Sequence, residues 1–216
     1  MGKQILVAAA VAAVAIIAAG CNDLGGHMAD HRAEIKIKGK VLVVPFRDAQ
    51  AYYYDSEDGG PITDAAVIAL QTQAGDKITC VDYGKVRGML RGAFATKEDI
   101  SWTDVGRAAG ADYVVYGTLN SINWEDPNTP GMPRCSFSIT YYVHDVAHAK
   151  RVYGVTKAGF FPVTIVGNWG VSAAALSVEA LKPKAYIYIG RNVANSFVTM
   201  TIDKREEATT IVQKMK

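Results

Sequence analysis

The sequence predicts an α/β (α+β) fold, one mixed β-sheet with helices packed against it, because strand-like and helix-like segments alternate along the chain. Apolar or alternating runs typical of strands lie at 35–38, 41–44, 77–82 and 112–119. Stretches with helical spacing separate the later runs, and a hairpin pattern and a last helical stretch follow. Helices interleaved with strands and followed by a hairpin produce a sheet with both parallel and antiparallel strands.

The first twenty residues have the parts of a bacterial export signal. Lys3 gives a positive start, residues 5–19 are uninterrupted Ala, Val, Leu and Ile, and small residues precede Cys21. The apolar run is shorter than the roughly 20 residues with which a helix crosses a bilayer. A cysteine directly after a small residue resembles the lipobox of bacterial lipoproteins, although Ala18 stands where that motif usually has Leu. The resemblance implies cleavage before Cys21 and lipidation of its thiol. The alternative is an ordinary signal peptide followed by a coincidental cysteine.

Four segments of different character divide the chain. Residues 1–20 are the predicted signal peptide, and residues 21–33 contain glycine and lack periodicity, as a flexible tether does. Residues 34–203 are predicted to form a single domain, and residues 204–216 a charged C-terminal tail. Asn22 is not the Asp that retains lipoproteins at the inner membrane of well-studied bacteria. The outer membrane is therefore favoured over the inner membrane.

A proline and a glycine indicate where the first apolar strand and the first helix of the domain end. The run 41–44 is apolar at every position, as in a strand covered on both faces, and Pro45 ends it. Apolar spacing predicts a helix over 63–74, which Gly75 terminates, before a strand over 77–82.

The segment from residue 83 to 119 predicts two helices and a strand. Residues 83–94 place apolar side chains on one face. Ser101 and Asp104 form a capping box at the start of the next helix, because each side chain can bind a backbone N–H that has no partner in the helix. Gly110 closes that helix, and a strand over 112–119 follows.

The second half of the domain contains a hairpin and further helix. Residues 125–134 are rich in proline and read as a turn. The alternating segments 136–146 and 151–158 form a hairpin. A helix over 172–181 is expected to stop before a proline, and another is expected over 185–200, although the start of that stretch also fits a strand.

The order of these segments resembles the envelope domains shared by the curli secretion lipoprotein CsgG, the penicillin-binding-protein activator LpoB and the N-terminal domain of TolB. The resemblance covers about residues 40–200 and is most specific over 105–119. It implies an anticodon-binding-domain-like fold, no catalytic residues and a role in assembling other envelope components. Segments 125–134 and 159–171 are too short for membrane-crossing hairpins with strands of about 9–11 residues, so no transmembrane barrel is expected.

The net charge and the absence of known catalytic motifs from the sequence argue against several classes of function. The chain has 23 basic and 21 acidic residues and a net charge of +2, which indicates no nucleic-acid partner. It lacks the glycine-rich phosphate loops and nucleophile motifs of enzymes, so neither catalytic residues nor a cofactor is expected. His144 and His148 flank Asp145 at a spacing that would suit a metal on a helix, but the segment predicts a hairpin, and no metal site is expected.

Two groups of side chains remain open to more than one interpretation. Cys80 and Cys135 are an even pair for an oxidising compartment and either form a disulfide or serve as small buried apolar residues. Tyr52, Tyr53 and Tyr54 either form a partner interface, where tyrosine is enriched, or cover the edge of the sheet.

These observations favour a non-enzymatic periplasmic lipoprotein, held to a membrane by its N-terminal lipid. It would act as an adaptor or assembly factor for an envelope complex such as a cell-wall synthase, secretion or motility machinery. The alternative is a homo-oligomeric structural subunit that builds a ring or array. A third hypothesis is a periplasmic hydrolase that uses His144, His148, Cys80 and Cys135.

Overall fold

The computed structural model describes residues 28–49, 57–96, 99–161 and 177–203. These ranges contain eight strands and four α-helices. The strands are β1 (Met28–His31), β2 (Gly39–Val43), β3 (Arg47–Asp48), β4 (Ile78–Val81), β5 (Tyr113–Asp126), β6 (Thr129–Asp145), β7 (Lys150–Phe161) and β8 (Met200–Asp203). The helices are α1 (Gly59–Ala74), α2 (Arg87–Thr96), α3 (Trp102–Ala109) and α4 (Val178–Ala194). Short 3-10 turns lie at Gly75–Lys77 and Tyr83–Lys85.

Most strands belong to one mixed sheet, as the sequence predicts. Its order is β4-β2-β5-β6-β7, with β3 beside β5. Strand β2 runs parallel to β4 and β5, whereas β5, β6 and β7 are antiparallel. The sheet is open, and β4 and β7 are its edges among the described strands. The predicted class, a mixed sheet packed against helices, is confirmed.

Strand β2 is covered on both faces, which explains its continuous apolar sequence. Val41 and Val43 pack in the larger core with residues of α1 and α4. Leu42 and Val44 pack on the opposite face with residues of α2 and α3. Neighbouring side chains of a strand point to opposite faces, so one short strand contributes to both cores.

The predicted N-cap Ser101 and the predicted stop Gly110 of α3 are confirmed. The Ser101 side chain accepts a hydrogen bond from the backbone N–H of Asp104 at 3.3 Å, and Gly110 adopts a left-handed conformation with φ 71°. Gly106 lets the helix approach the sheet closely, because a Cβ there would lie 2.3 Å from a methyl carbon of Val146. The helix is therefore fixed at both ends and against the sheet.

The alternating segment 35–38 is not a strand, which corrects the sequence prediction. Ile37 is buried while its neighbours Lys36 and Lys38 are exposed, so the alternating pattern correctly indicates which of these side chains are buried. The backbone N–H groups of Glu34 and Ile35 donate to the carbonyl of Ser196 and not to a neighbouring strand. The segment packs against the end of α4 without joining a sheet.

The proline-rich segment 125–134 is not simply a turn. Strands β5 and β6 run into it and leave a turn of residues 127–128. The register shifts beside Glu125 and Asp126, and such irregularities tolerate prolines that cannot donate to a ladder. Asp126 accepts from Arg134 at 2.9 Å and from the backbone N–H of Asn128 at 2.7 Å, which holds the tip of the hairpin together.

The C-terminal region differs from its prediction in two ways. A single helix, α4, replaces the two expected helices; it begins at the cap Ser177 and contains Pro183 near its start. After the helix, β8 pairs antiparallel with β1, so Met28 lies opposite Asp203. Strand β1 falls within the predicted flexible tether. None of the helices in the described ranges is both long and apolar enough to span a membrane.

Candidate interaction surface

Among the described residues, no helix covers one face of the β5-β6-β7 sheet beyond the end of α3. Along residues 135–143 of β6, the odd-numbered side chains are buried in the larger core and the even-numbered ones are half-buried. Because side chains alternate between the faces of a strand, the even-numbered positions form a second, accessible face. We call this surface the open face. Its defining residues are Tyr116, Thr118 and Asn120 on β5, Ser138, Thr140 and Tyr142 on β6, and Arg151 and Thr156 on β7.

An aromatic stack forms the end of the open face next to α3. Trp102 stacks on Tyr116 with ring centroids 3.9 Å apart and an interplanar angle of 18°. The Tyr116 and Tyr142 centroids are 5.5 Å apart, and the guanidinium carbon of Arg151 lies 4.9 Å from the Tyr142 ring centroid. Gly154 makes room for that ring, because a Cβ there would lie 2.7 Å from it. The stack is thus held in place by its own contacts and by the backbone below it.

Hydroxyl and amide groups continue the open face away from the aromatic stack. The Asn120 side-chain amide donates to the Thr140 hydroxyl at 2.8 Å and to the Ser138 hydroxyl at 3.2 Å. The hydroxyls of Thr140 and Thr156 share a hydrogen bond of 2.7 Å. These contacts link side chains across three strands. These hydrogen bonds fix the polar groups relative to one another.

A buried lysine lies directly behind the open face. Lys157 is only 6% exposed. Its ammonium donates to the backbone carbonyl of Asn192 at 2.8 Å and to the Ser196 hydroxyl at 2.7 Å. It also lies 3.3 Å from a carboxylate oxygen of Glu34. A cation at the last turn of a helix satisfies a carbonyl that has no partner in the helix and suits the negative end of the helix dipole.

Two tyrosines complete this buried network. The Tyr141 and Ser196 hydroxyls are 2.6 Å apart, and the Tyr153 hydroxyl donates to Glu34 at 2.6 Å. Burial raises the pKa of both tyrosines, so their hydroxyls stay protonated. We call the network the anchoring clasp. Its members are Glu34, Tyr141, Tyr153, Lys157 and Ser196.

The anchoring clasp joins the two ends of the domain to the sheet. Glu34 begins the predicted domain, Ser196 follows α4, and Lys157 lies in the middle of β7. A serine hydroxyl beside a lysine amine also occurs in nucleophilic catalysis. Here the Ser196 side chain is fully buried, so a substrate has no access to its hydroxyl. The arrangement is a structural support.

The structure separates the histidines that the sequence singled out. His144 lies beside α3, with its Nε2 2.8 Å from the Thr103 hydroxyl, and burial lowers its pKa despite the neighbouring Asp145. His148 is instead exposed in the β6-β7 turn, with its ring Nδ1 2.8 Å from a carboxylate oxygen of Asp145. Burial raises the pKa of Asp145, but the hydrogen bonds from His148 outweigh it and lower that pKa. Within the described ranges, no three His, Cys, Asp or Glu side chains group as metal ligands.

The two strand cysteines are free thiols, so they do not form the disulfide that the sequence left as one of two possibilities. Cys80 is on β4 and Cys135 on β6, with two strands between them. Three inter-strand spacings amount to about 14 Å, well beyond the roughly 7 Å limit for bridged Cα atoms. Burial raises the pKa of Cys80 to about 11 and that of Cys135 to about 12. Each serves as a small core residue, the other interpretation that the sequence allowed.

The residues of the hydrolase hypothesis are not brought together. His144 and Cys135 lie nine positions apart on β6, a separation of about 30 Å along an extended strand. Cys80 is on an edge strand of the same sheet, and the ring of His148 is bound by Asp145. The four side chains therefore share no common site.

No protein-family model matches the sequence, and no curated protein matches it. Solved structures are similar to it at low identity. The PelC dodecamer from Paraburkholderia phytofirmans is 10% identical, with a TM-score of 0.46, over 80% of this chain and 98% of that chain. Lipoprotein GNA1162 from Neisseria meningitidis is 15% identical, with a TM-score of 0.42, over 56% and 82%. The LpoB C-terminal domain from Escherichia coli is 14% identical, with a TM-score of 0.38, over 59% and 86%.

An LpoB domain is thus among the similar structures, as the resemblance in the sequence predicted. The resemblance to CsgG and TolB stays a prediction. Two predicted sites, Cys21 and the tyrosines Tyr52, Tyr53 and Tyr54, lie outside the described residues.

Neither the open face nor the anchoring clasp is predicted by the sequence. Lys157 carried a usable signal, because it occupies an inward position of the alternating strand β7, in phase with Tyr153 and Val155. A charged residue at such a position requires a buried partner. Its partners Glu34 and Ser196 are far away in sequence, so the sequence alone did not identify them.

Proposed function

We propose that the protein is a non-enzymatic lipoprotein of the bacterial envelope that binds another envelope protein through its open face. The open face itself is the observation that carries this proposal. From residue 136 to residue 144, β6 extends for about 27 Å, and flanking strands widen the surface on both sides. The anchoring clasp behind it keeps these strands fixed, so the surface is rigid before binding.

The composition of the open face supports a protein partner. Tyr and Arg dominate the binding energy of protein interfaces, together with Trp, and Trp102 adjoins this surface. Ser and Asn side chains accompany such residues on antibody surfaces, where they supply adaptable hydrogen bonds. The open face combines both kinds, with Tyr116 and Tyr142 at one end and Asn120 and Ser138 further along.

Charge indicates what the partner presents. None of the eight residues that define the open face is acidic, and Arg151 is exposed above the Tyr142 ring. Lys150 at the start of β7 and His148 in the β6-β7 turn are near it in sequence and are also exposed. We therefore expect the partner to place a carboxylate against Arg151. The guanidinium fork binds such a group through two parallel hydrogen bonds.

The lipid anchor is the second part of the proposal. Cys21 follows a predicted export signal and would carry the lipid at the mature N-terminus. Each buried methylene contributes about 0.8 kcal/mol, so two or three acyl chains hold a small domain on a membrane. Asn22 favours the outer membrane, and the domain would face the periplasm.

Site-specific photocrosslinking in cells tests the proposal. A photoreactive amino acid replaces Asn120 or Thr156 on the open face. Matched controls carry it at Ile68 on α1 and Ile187 on α4, which are 63% and 49% exposed on helices that cover the other face of the sheet. We expect the same envelope protein to be captured from both open-face positions but from neither helix, and the capture to be lost with Arg151→Glu.

Two results would contradict the proposal. Equal capture from the helix positions would show that the open face is not the binding surface. A product whose only component is a second copy of this chain would replace the adaptor with the self-assembling subunit that the sequence left as an alternative. In that case, the size of the detergent-extracted complex would give the number of copies.

A further inference from the structure

We propose that the partner of the open face is an integral protein of the same membrane that holds the lipid. This inference rests on the proposed function. It follows from the short distance along the chain between Cys21 and the first strand, and from the way in which the structure fixes the chain after that point.

The segment that links lipid and domain is short. Only residues 22–27 separate Cys21 from Met28, where β1 begins. Seven residue steps span at most about 25 Å when fully extended. This limit comes from covalent geometry, so it holds for any conformation of the linking segment.

Strand β1 cannot extend the reach without breaking contacts. It pairs with β8 along its whole length, from Met28 opposite Asp203 to His31 opposite Met200. Directly after it, the backbone N–H groups of Glu34 and Ile35 donate to the Ser196 carbonyl at 2.9 Å each. The residues that the sequence assigned to the second half of a flexible tether are therefore part of the folded body.

Glu34, three residues after β1, lies directly behind the open face. Tyr141 and Lys157 of the anchoring clasp alternate along their strands with Tyr142 and Thr156 of the open face. The two groups are therefore on opposite sides of the same strands. From Met28 onward, the connection to the binding surface therefore runs through hydrogen-bonded parts of the folded body.

The geometry restricts where the partner can be. A domain of about 170 residues has a radius of gyration of about 15 Å and a diameter of about 40 Å. A linking segment of at most about 25 Å cannot lift the body off the membrane by its own width. A protein that is integral to the same membrane and exposes a periplasmic part at its surface therefore lies within reach of the open face.

Lengthening the linking segment tests this inference. Glycine-serine insertions of 12 and 24 residues are placed between Gly25 and Gly26, which leaves Cys21 and Asn22 unchanged. The photoreactive residue at Asn120 reports partner capture at each length. Arg151→Glu, introduced at each length of the linking segment, gives the background.

When the linking segment is just long enough to reach a nearby partner, the effective concentration of the open face at that partner is highest. It falls as the linking segment lengthens. Increasing the number of steps from seven to 31 lowers it roughly ninefold if it follows the −3/2 power of length. We expect capture at low partner abundance to fall by about that factor. Once it is identified by capture, the partner should also stay in the membrane after an alkaline carbonate wash of cells that have not been crosslinked, as integral proteins do.

The outcomes separate the two proposals. Capture that is constant or rises with length, or a partner that the carbonate wash releases, overturns the same-membrane inference and leaves the open face as the binding surface. Absence of capture above background at every length, including the native one, overturns the proposed function and this inference with it.

Discussion

Replacing the buried lysine of the anchoring clasp tests the structural account most severely. Lys157→Met keeps most of the side-chain length and apolar stem but removes the ammonium. The change eliminates the hydrogen bonds to the Asn192 carbonyl at 2.8 Å and the Ser196 hydroxyl at 2.7 Å, and the ion pair with Glu34 at 3.3 Å. These contacts differ in exposure, because Ser196 is fully buried whereas the Glu34 side chain is 32% exposed.

The expected cost follows from those contacts. A hydrogen bond that involves a charged group contributes about 1.5–3 kcal/mol, and two are lost. The Glu34 side chain is 32% exposed, so water replaces part of its lost partner and the ion pair adds little. Burial of the apolar methionine end in place of a desolvated charge offsets part of the loss. We expect the free energy of unfolding to fall by about 2–4 kcal/mol.

Urea unfolding of the chain from residue 22 onward, followed by tryptophan fluorescence, measures this loss. Lys150→Met is the matched control, because Lys150 is exposed at the start of the same strand and should change stability by about 0.5 kcal/mol or less. A double-mutant cycle with Glu34→Gln measures the coupling between the two charges. If Lys157→Met were as stable as Lys150→Met, the clasp would not hold the domain together.

Four further predictions concern single features of the fold. Ser101→Ala removes the cap of α3 and should lower the free energy of unfolding by about 1 kcal/mol in the same urea assay. Gly190→Ala should lower it by about 1–3 kcal/mol, because a Cβ there would lie 2.6 Å from atoms of α1 and force the helices apart. Burial lowers the pKa of His144, so the unfolded chain binds the proton more tightly. The urea midpoint should therefore decrease as the pH falls below about 6.5, and less steeply in His144→Gln. At pH 8, a thiol reagent should label Cys80 and Cys135 slowly in the folded chain and rapidly in urea, since burial raises their pKa to about 11 and about 12; equal rates in both states would contradict their placement in the core.

Local signals predicted much of the fold because their physical causes are local. Gly75 and Gly110 end helices, and the N-cap Ser101 accepts its bond from a residue three positions away. The alternating strands β6 and β7 are joined by a four-residue turn, so their pairing needs little information from elsewhere. Such features depend on the residues immediately around them.

The features that sequence reasoning missed depend on distant partners. Strand β1 exists because it pairs with β8 at the other end of the chain, and neither strand carries a strong pattern of its own. Pro183 lies inside α4, where tertiary packing of Leu181 and Ala185 in the core outweighs its local preference. The alternation of β6 shows two different faces, but which face a helix covers depends on where α1 and α4 pack.

The most direct measurement of the central claim is the mass of the N-terminal peptide of the mature protein, isolated from native membranes. The account predicts that this peptide begins at Cys21 and carries the added mass of a diacylglyceryl group, with or without a further acyl chain. A peptide that begins at Cys21 or elsewhere with no acyl mass, or an intact residue 1, would contradict it.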